Sequence, residues 1–139
     1  MSMSPTLDAP APTVQSFLAF DFGTLRVGVA CGNSITRSAQ PLQSVSVVGE
    51  ARFDAIGKLI GQWQPDALVV GVPFHPDGAE HENTQRARRF ARQLHGRFRL
   101  AVHEVDERYS TTEAQSMGAA DLDAASAAII LEQFLRSLE

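Results

Sequence analysis

Six apolar residues in an unbroken row, ALVVGV over 67–72, constrain this chain more than any other feature. Such a run reads as a central strand covered on both faces, and strands of that kind need helices above and below their sheet. The neighbouring segments supply them. Residues 51–63 place Phe53, Ile56, Leu59, Ile60 and Trp63 at helical spacing and stop at Gln64-Pro65. Residues 83–96 form a second helix, with Ala87, Phe90, Ala91 and Leu94 inward, most arginines outward and Gly96 as C-terminal cap.

Upstream, 17–22 and 27–32 are short apolar runs separated by a turn signal at Gly23, as in a hairpin, and the alternating QSVSVV over 43–48 predicts a third strand. Downstream, 100–105 is a fifth strand, Ser110-Thr-Thr-Glu113 matches a capping box that opens a short helix, and 121–138 is a last helix carrying Leu122, Ala125, Ile129, Leu131, Phe134 and Leu138. A hairpin followed by right-handed β-α-β crossovers gives an α/β fold with a mixed five-stranded sheet flanked by helices, an RNase H-like order of elements. The length of 139 residues suits one domain, over 17–139. The first sixteen residues, rich in Pro, Ser and Ala, read as a disordered tail and resemble neither a secretory signal nor an anchor. A single cysteine, Cys31, leaves no internal disulfide and points to a reducing, cytoplasmic setting. No apolar segment approaches the roughly 20 residues that a bilayer requires, so no membrane association is expected.

The net charge of −4 argues mildly against a nucleic-acid partner, but its distribution does not. Over 84–100 there are six arginines (Arg86, Arg88, Arg89, Arg92, Arg97 and Arg99) and no acid. Local field outweighs the total. Most often such a helix is only a solvated face.

Three acids stand where the hydrophobic pattern does not want them: Asp21 in the first strand, Glu107 just past the fifth, and Asp123 in the first turn of the last helix. An unpaired buried carboxylate costs several kcal/mol unless a cation, a metal or a shifted pKa relieves it. In open α/β sheets the ligand crevice lies beyond the carboxyl ends of the strands, where all three acids could meet. Carboxylates from separate elements hold hard ions such as Mg²⁺ or Mn²⁺ for in-line phosphoryl displacement, and the ions in turn offset the mutual repulsion of the acids. Plainer roles exist for each. Asp21 could pair with Arg26 or Arg108, and Asp121 or Asp123 could cap the last helix. The four histidines lack metal-ligand spacing and read as loop or surface residues.

Four ordered blocks, DFGTLRVGVA over 21–30, VVGVPFHPDG over 69–78, DERYSTT over 106–112 and DAASAAIIL over 123–131, resemble the YqgF family of RNase H-like nucleases, also called RuvX. The resemblance spans nearly everything after the tail. It implies a cytoplasmic, metal-dependent hydrolase of structured nucleic acid, with processing of the 5′ end of pre-16S rRNA as the usual assignment and branched DNA of the Holliday-junction type as the alternative substrate. By motif, Asp21, Glu107 and Asp123 become the catalytic and metal-binding triad, and Arg26 and Arg108 take phosphate-facing or site-ordering roles. Two departures stand out. Resolvase relatives place the second acid at the end of the fourth strand, where this chain has Gly71-Val-Pro73. Many YqgF relatives also carry a longer basic segment before the last Asp, so substrate grip is expected from the arginine helix, through Arg86 and Arg89.

A non-catalytic RNA-binding module in ribosome assembly, with structural carboxylates, is the second function class. A sugar-kinase or actin-like reading of DFGT fails on length, because those ATPases need a second lobe with another DxG motif, which this chain lacks.

Overall fold

The computed structural model describes residues 14–107 and 122–138. Eight elements follow one another: β1 (Ser16–Asp21), β2 (Val27–Asn33), β3 (Ala39–Val45), α1 (Glu50–Trp63), β4 (Ala67–Val72), α2 (Thr84–Phe98), β5 (Ala101–Asp106) and α3 (Leu122–Ser137). The five strands form one sheet in the order β3-β2-β1-β4-β5. β1 pairs antiparallel with β2, and β2 with β3, while β1, β4 and β5 run parallel. The run 67–72 is therefore an interior strand, and every residue of it is buried.

Period-two alternation assigns the two faces. Leu18, Phe20, Leu68 and Val70 turn to one side and join Ile56 and Leu59 of α1 with Phe90, Ala91 and Leu94 of α2. Phe17, Ala19, Ala67 and Val69 turn to the other and meet Ile130, Leu131 and Leu135 of α3. Two helices thus cover one face and α3 covers the other, so the apolar run needs no polar side.

Three of the boundaries that differ from the sequence expectation have a visible cause. β1 starts at Ser16, whose amide donates to Asp66 Oδ2 at 2.7 Å, so the strand claims the residue assigned to the tail. β3 lies at Ala39–Val45 rather than 43–48, because its pairing with β2 passes through an irregularity at Val29/Ala30 that admits Pro41 on an edge strand. Val47 and Val48, which suggested the later register, are exposed in the connection to α1. α2 continues past Gly96 to Phe98, whose ring packs over Gly57 of α1, and the left-handed residue that ends it is Arg99 (φ 58°). The capping-box helix at 110–113 and the segment before the last Asp lie outside the described residues. No helix among the described residues is long and apolar enough to cross a membrane.

Candidate active site

Asp21 is the last residue of β1 and shares the face of Phe17 and Ala19, the side covered by α3. Across the sheet its rung reads Ser44, Gly28, Asp21, Gly71, Val105 from β3 to β5. The carboxylate therefore has a glycine on either side. A Cβ at Gly28 would collide with the backbone of Asp123, and one at Gly71 would lie 2.9 Å from Glu107 Oε2. These two bare positions let a helix N-terminus close in from one side and a carboxylate from the other.

Glu107 follows β5, and its amide donates to the carbonyl of Val72 at 3.2 Å, which extends the β4–β5 pairing by one bond. Its residue exposure is only 8%. The side chain then reaches back over Gly71, into space that a side chain on β4 would otherwise fill. The bare position on the fourth strand thus makes room for an acid carried just past the neighbouring one.

Burial, and next the charge of Asp123, push the Asp21 carboxyl up to about 7, while a hydrogen bond with Glu107 pulls it down. Two carboxyl groups that hydrogen-bond to each other share a proton. Asp123 is held differently. Its Oδ2 accepts from Arg26 Nε at 2.7 Å and from Ser44 Oγ at 3.4 Å. The Asp123 side chain is 29% exposed and that of Arg26 62% exposed. Among the described residues, no three His, Cys, Asp or Glu side chains already stand together as a metal cage. The donors do suit a hard cation: all are carboxylate oxygens, and the repulsion that raises Asp21 is the kind that a divalent ion relieves.

Residues 15–137 match the family model described as RuvX, Holliday junction resolvase. The chain belongs to the RuvX family. A relative from Polaromonas sp. (strain JS666) is 67% identical over 125 residues, covering 90% of this chain and 91% of the relative. Another, from Albidiferax ferrireducens, is 64% identical over 128 residues, covering 92% and 82%. Both bear the name "Putative pre-16S rRNA nuclease". Among solved structures, T. thermophilus RuvC in complex with Holliday junction substrate is similar, with a TM-score of 0.55 at 14% identity over 89% of this chain and 95% of that one. At that identity the likeness is one of fold, and the fold is RNase H-like.

The other residues singled out in the sequence divide by position. Arg26 opens the return to β2 and pairs with Asp123 rather than with Asp21, so the salt bridge envisaged for the buried acid is made by its neighbour. Arg108 and Asp121 lie outside the described residues. Arg86 and Arg89 are exposed on the first half of α2, on the sheet face opposite α3, with Arg86 bonded to Asn83 Oδ1 at 3.0 Å. The helix reaches the edge that carries the carboxylates at its start, where Thr84 Oγ1 donates to the carbonyl of Pro73 just after β4. His75 and His81 occupy the loop after β4, with rings 5.1 Å apart, while His95 and His103 are exposed.

Sequence reasoning overlooked two supports. Ser44 bonds Asp123 from its place opposite Gly28 in the β2–β3 pairing, a register that alternation alone did not specify. Arg52, 6% exposed, donates from Nε to the carbonyl of Val47 at 3.2 Å and from Nη2 to that of Thr24 at 3.1 Å. Its guanidinium also lies 5.7 Å from the ring centroid of Phe22. It ties the loop between Asp21 and Arg26 to the loop that enters α1. An arginine among the apolar residues of a helix was the available signal.

Proposed function

We propose that this chain is a metal-dependent nuclease that hydrolyses phosphodiester bonds in structured nucleic acid, with the 5′ end of pre-16S rRNA as its substrate in ribosome biogenesis in the cytoplasm. The observation that carries the reading is the buried Asp21–Glu107 carboxyl pair at the carboxyl edge of the parallel strands, with Asp123 close enough to raise Asp21. A structural ion pair would supply Asp21 with a cation, and among the described residues the charged groups that act on it are the acids Asp123 and Glu107. The family and the names of its relatives point the same way.

Asp21 and Glu107 would hold Mg²⁺ or Mn²⁺, with Asp123 completing the oxygen donors. Bound there, the ion supplies Lewis-acid stabilisation of charge on the scissile phosphate. With the ion in place Asp21 would be held deprotonated and would serve as a ligand that fixes the ion at the carboxyl edge of the strands. Glu107, buried beside it, orients Asp21 and excludes competing solvent. Arg26 binds Asp123 through Nε, and its Nη groups carry no bond among the described residues, which suits a bidentate grip on a phosphate. Arg108 is assigned the same phosphate-facing role by motif, and Arg86 and Arg89 the hold on substrate further from the cut.

The test is cleavage of an end-labelled pre-16S RNA fragment and of a four-way DNA junction in Mg²⁺ or Mn²⁺. Wild-type protein is expected to cut the RNA and Asp21→Asn to lose at least ~10²-fold in rate; equal cutting by both overturns the assignment, and cutting of the junction alone makes it a DNA resolvase. One observation favours the second reading, a non-catalytic RNA-binding assembly factor: Asp123 is already engaged by Arg26. That reading requires RNA binding with no cleavage and no metal affinity.

A further inference from the structure

The six arginines between 84 and 100 are not equivalent once folded. Arg97 forms a two-bond pair with Glu50 at 2.7 and 2.9 Å and lies over the Phe53 ring, so it joins α2 to α1. Arg88 stands 3.8 Å from Glu80 and 3.5 Å from Glu104 and covers Phe74. Arg86 is bonded to Asn83. Arg89, Arg92 and Arg99 are exposed and have no partner among the described residues.

Those three lie in one line. Gln85, Arg89, Arg92 and Gly96 are spaced i, i+4, i+7, i+11, a single stripe along the solvent side of the helix, and Arg99 stands just beyond its end. Nothing lies within 4 Å of a Cβ built at Gly96, so the helix backbone is open to close approach between Arg92 and Arg99. From residue 89 to residue 99 the helix rises ~15 Å, a length that matches two to three phosphates of a nucleic-acid strand. Arg92 also borders a groove of about 570 Å³ between α2 and β5, with His95 on the same wall and, on the β5 side, Glu104, whose charge is met by Arg88. On a chain of net charge −4, a row of unneutralised guanidinium groups without a single acid on its helix fits a polyanion.

The row is on the wrong side of the sheet to touch the reacting phosphate. Asp21 faces α3, while α2 covers the other face. A strand segment at the carboxylates and one on α2 are separated by the sheet and by helices each ~10 Å thick, so one straight helix of nucleic acid cannot serve both. We propose that the outer face of α2, through Arg89, Arg92 and Arg99, is a second nucleic-acid surface that grips the backbone of a substrate segment leaving the catalytic edge over the far side of the sheet. This rests on the nuclease reading for its choice of nucleic acid. It makes the preferred substrate a bent or branched one, with two segments diverging at the cut.

Binding without turnover tests it. In the Asp21→Asn protein, a fluorescein-labelled RNA hairpin with a single-stranded 5′ extension is titrated at several salt concentrations, with and without Arg89→Ala/Arg92→Ala. Lys58→Ala/Arg136→Ala, which removes two cations elsewhere, is the control. The arginine pair is expected to weaken Kd by about tenfold or more at low salt and to lower the salt slope by roughly 1.5, with the control within about twofold of its parent. With Asp21 intact, the same pair is expected to raise KM and leave kcat within about twofold. An unchanged Kd and slope overturns the proposal, and so does an equal loss in the control, which would reduce the effect to overall charge. If Asp21-containing protein cuts nothing, the nuclease reading falls while the binding comparison still decides this surface.

Discussion

At the residue scale the site depends on two absent side chains. Gly71 leaves room for the Glu107 carboxylate and for Ile130 of α3, so Gly71→Ala forces one of them to move. Overpacking of this kind costs about 1–3 kcal/mol. Denaturant titration is expected to register that loss, together with lower metal affinity if Glu107 is the group that moves and is a ligand as proposed. Asp21 carries the pH dependence. Its carboxyl titrates near 3.8 when unfolded and about 7 when folded, so between those values the native state keeps a proton that the unfolded chain has released. Stability therefore falls as pH rises through that window and levels off above about 7. In metal-free buffer, Asp21→Asn is expected to abolish that slope and to exceed wild type at pH 8 by on the order of 2–4 kcal/mol, read from urea midpoints at pH 5 and pH 8. The buried acid was legible from the sequence, since a carboxylate among aromatics in a strand needs a reason; its proton-sharing partner was legible only through motif resemblance, because 86 residues separate the two positions.

At the element scale, α3 is the piece on which the site turns. It carries Asp123, and its alanines at 124, 125, 127 and 128 keep its inner face thin enough to lie against the sheet. Gly28 meets its first turn backbone to backbone. Gly28→Ala has no flexible side chain to push aside and is expected to undock the start of α3, at a cost of more than ~3 kcal/mol, with loss of hydrogen-exchange protection in that helix before the sheet opens. Arg52 acts from α1 on the opposite face. Replacing it with Met keeps the stem but leaves the carbonyls of Thr24 and Val47 without their donor, at a cost of about 1–3 kcal/mol by thermal denaturation. Periodicity located α1, β4 and α2 closely because each buries one continuous apolar set. It misplaced β3, since an edge strand with a proline carries a weak pattern and its register comes from its pairing partner.

At the scale of the whole molecule, a sheet with two helices on one side and one on the other brings residues 21, 107 and 123 to one edge. A cation bound there by the native state alone should stabilise the entire fold by mass action, about 2.7 kcal/mol at a hundredfold excess over Kd. Mn²⁺ is therefore expected to raise the Tm of wild-type protein and to leave that of Asp21→Asn unmoved; calorimetry with and without a chelator reads the difference. The sequence by itself determined the α/β class, the interior strand at 67–72, the unusual acid at 21 and the arginine-rich helix, because hydrophobic period and charge placement are local properties. Tertiary structure alone decided that Glu107 fills the space left by Gly71, that Arg26 holds Asp123 rather than Asp21, and that Arg89 and Arg92 face away from the carboxylates. Those outcomes depend on strand register and on which face each helix covers, and both are settled only when distant segments pack together.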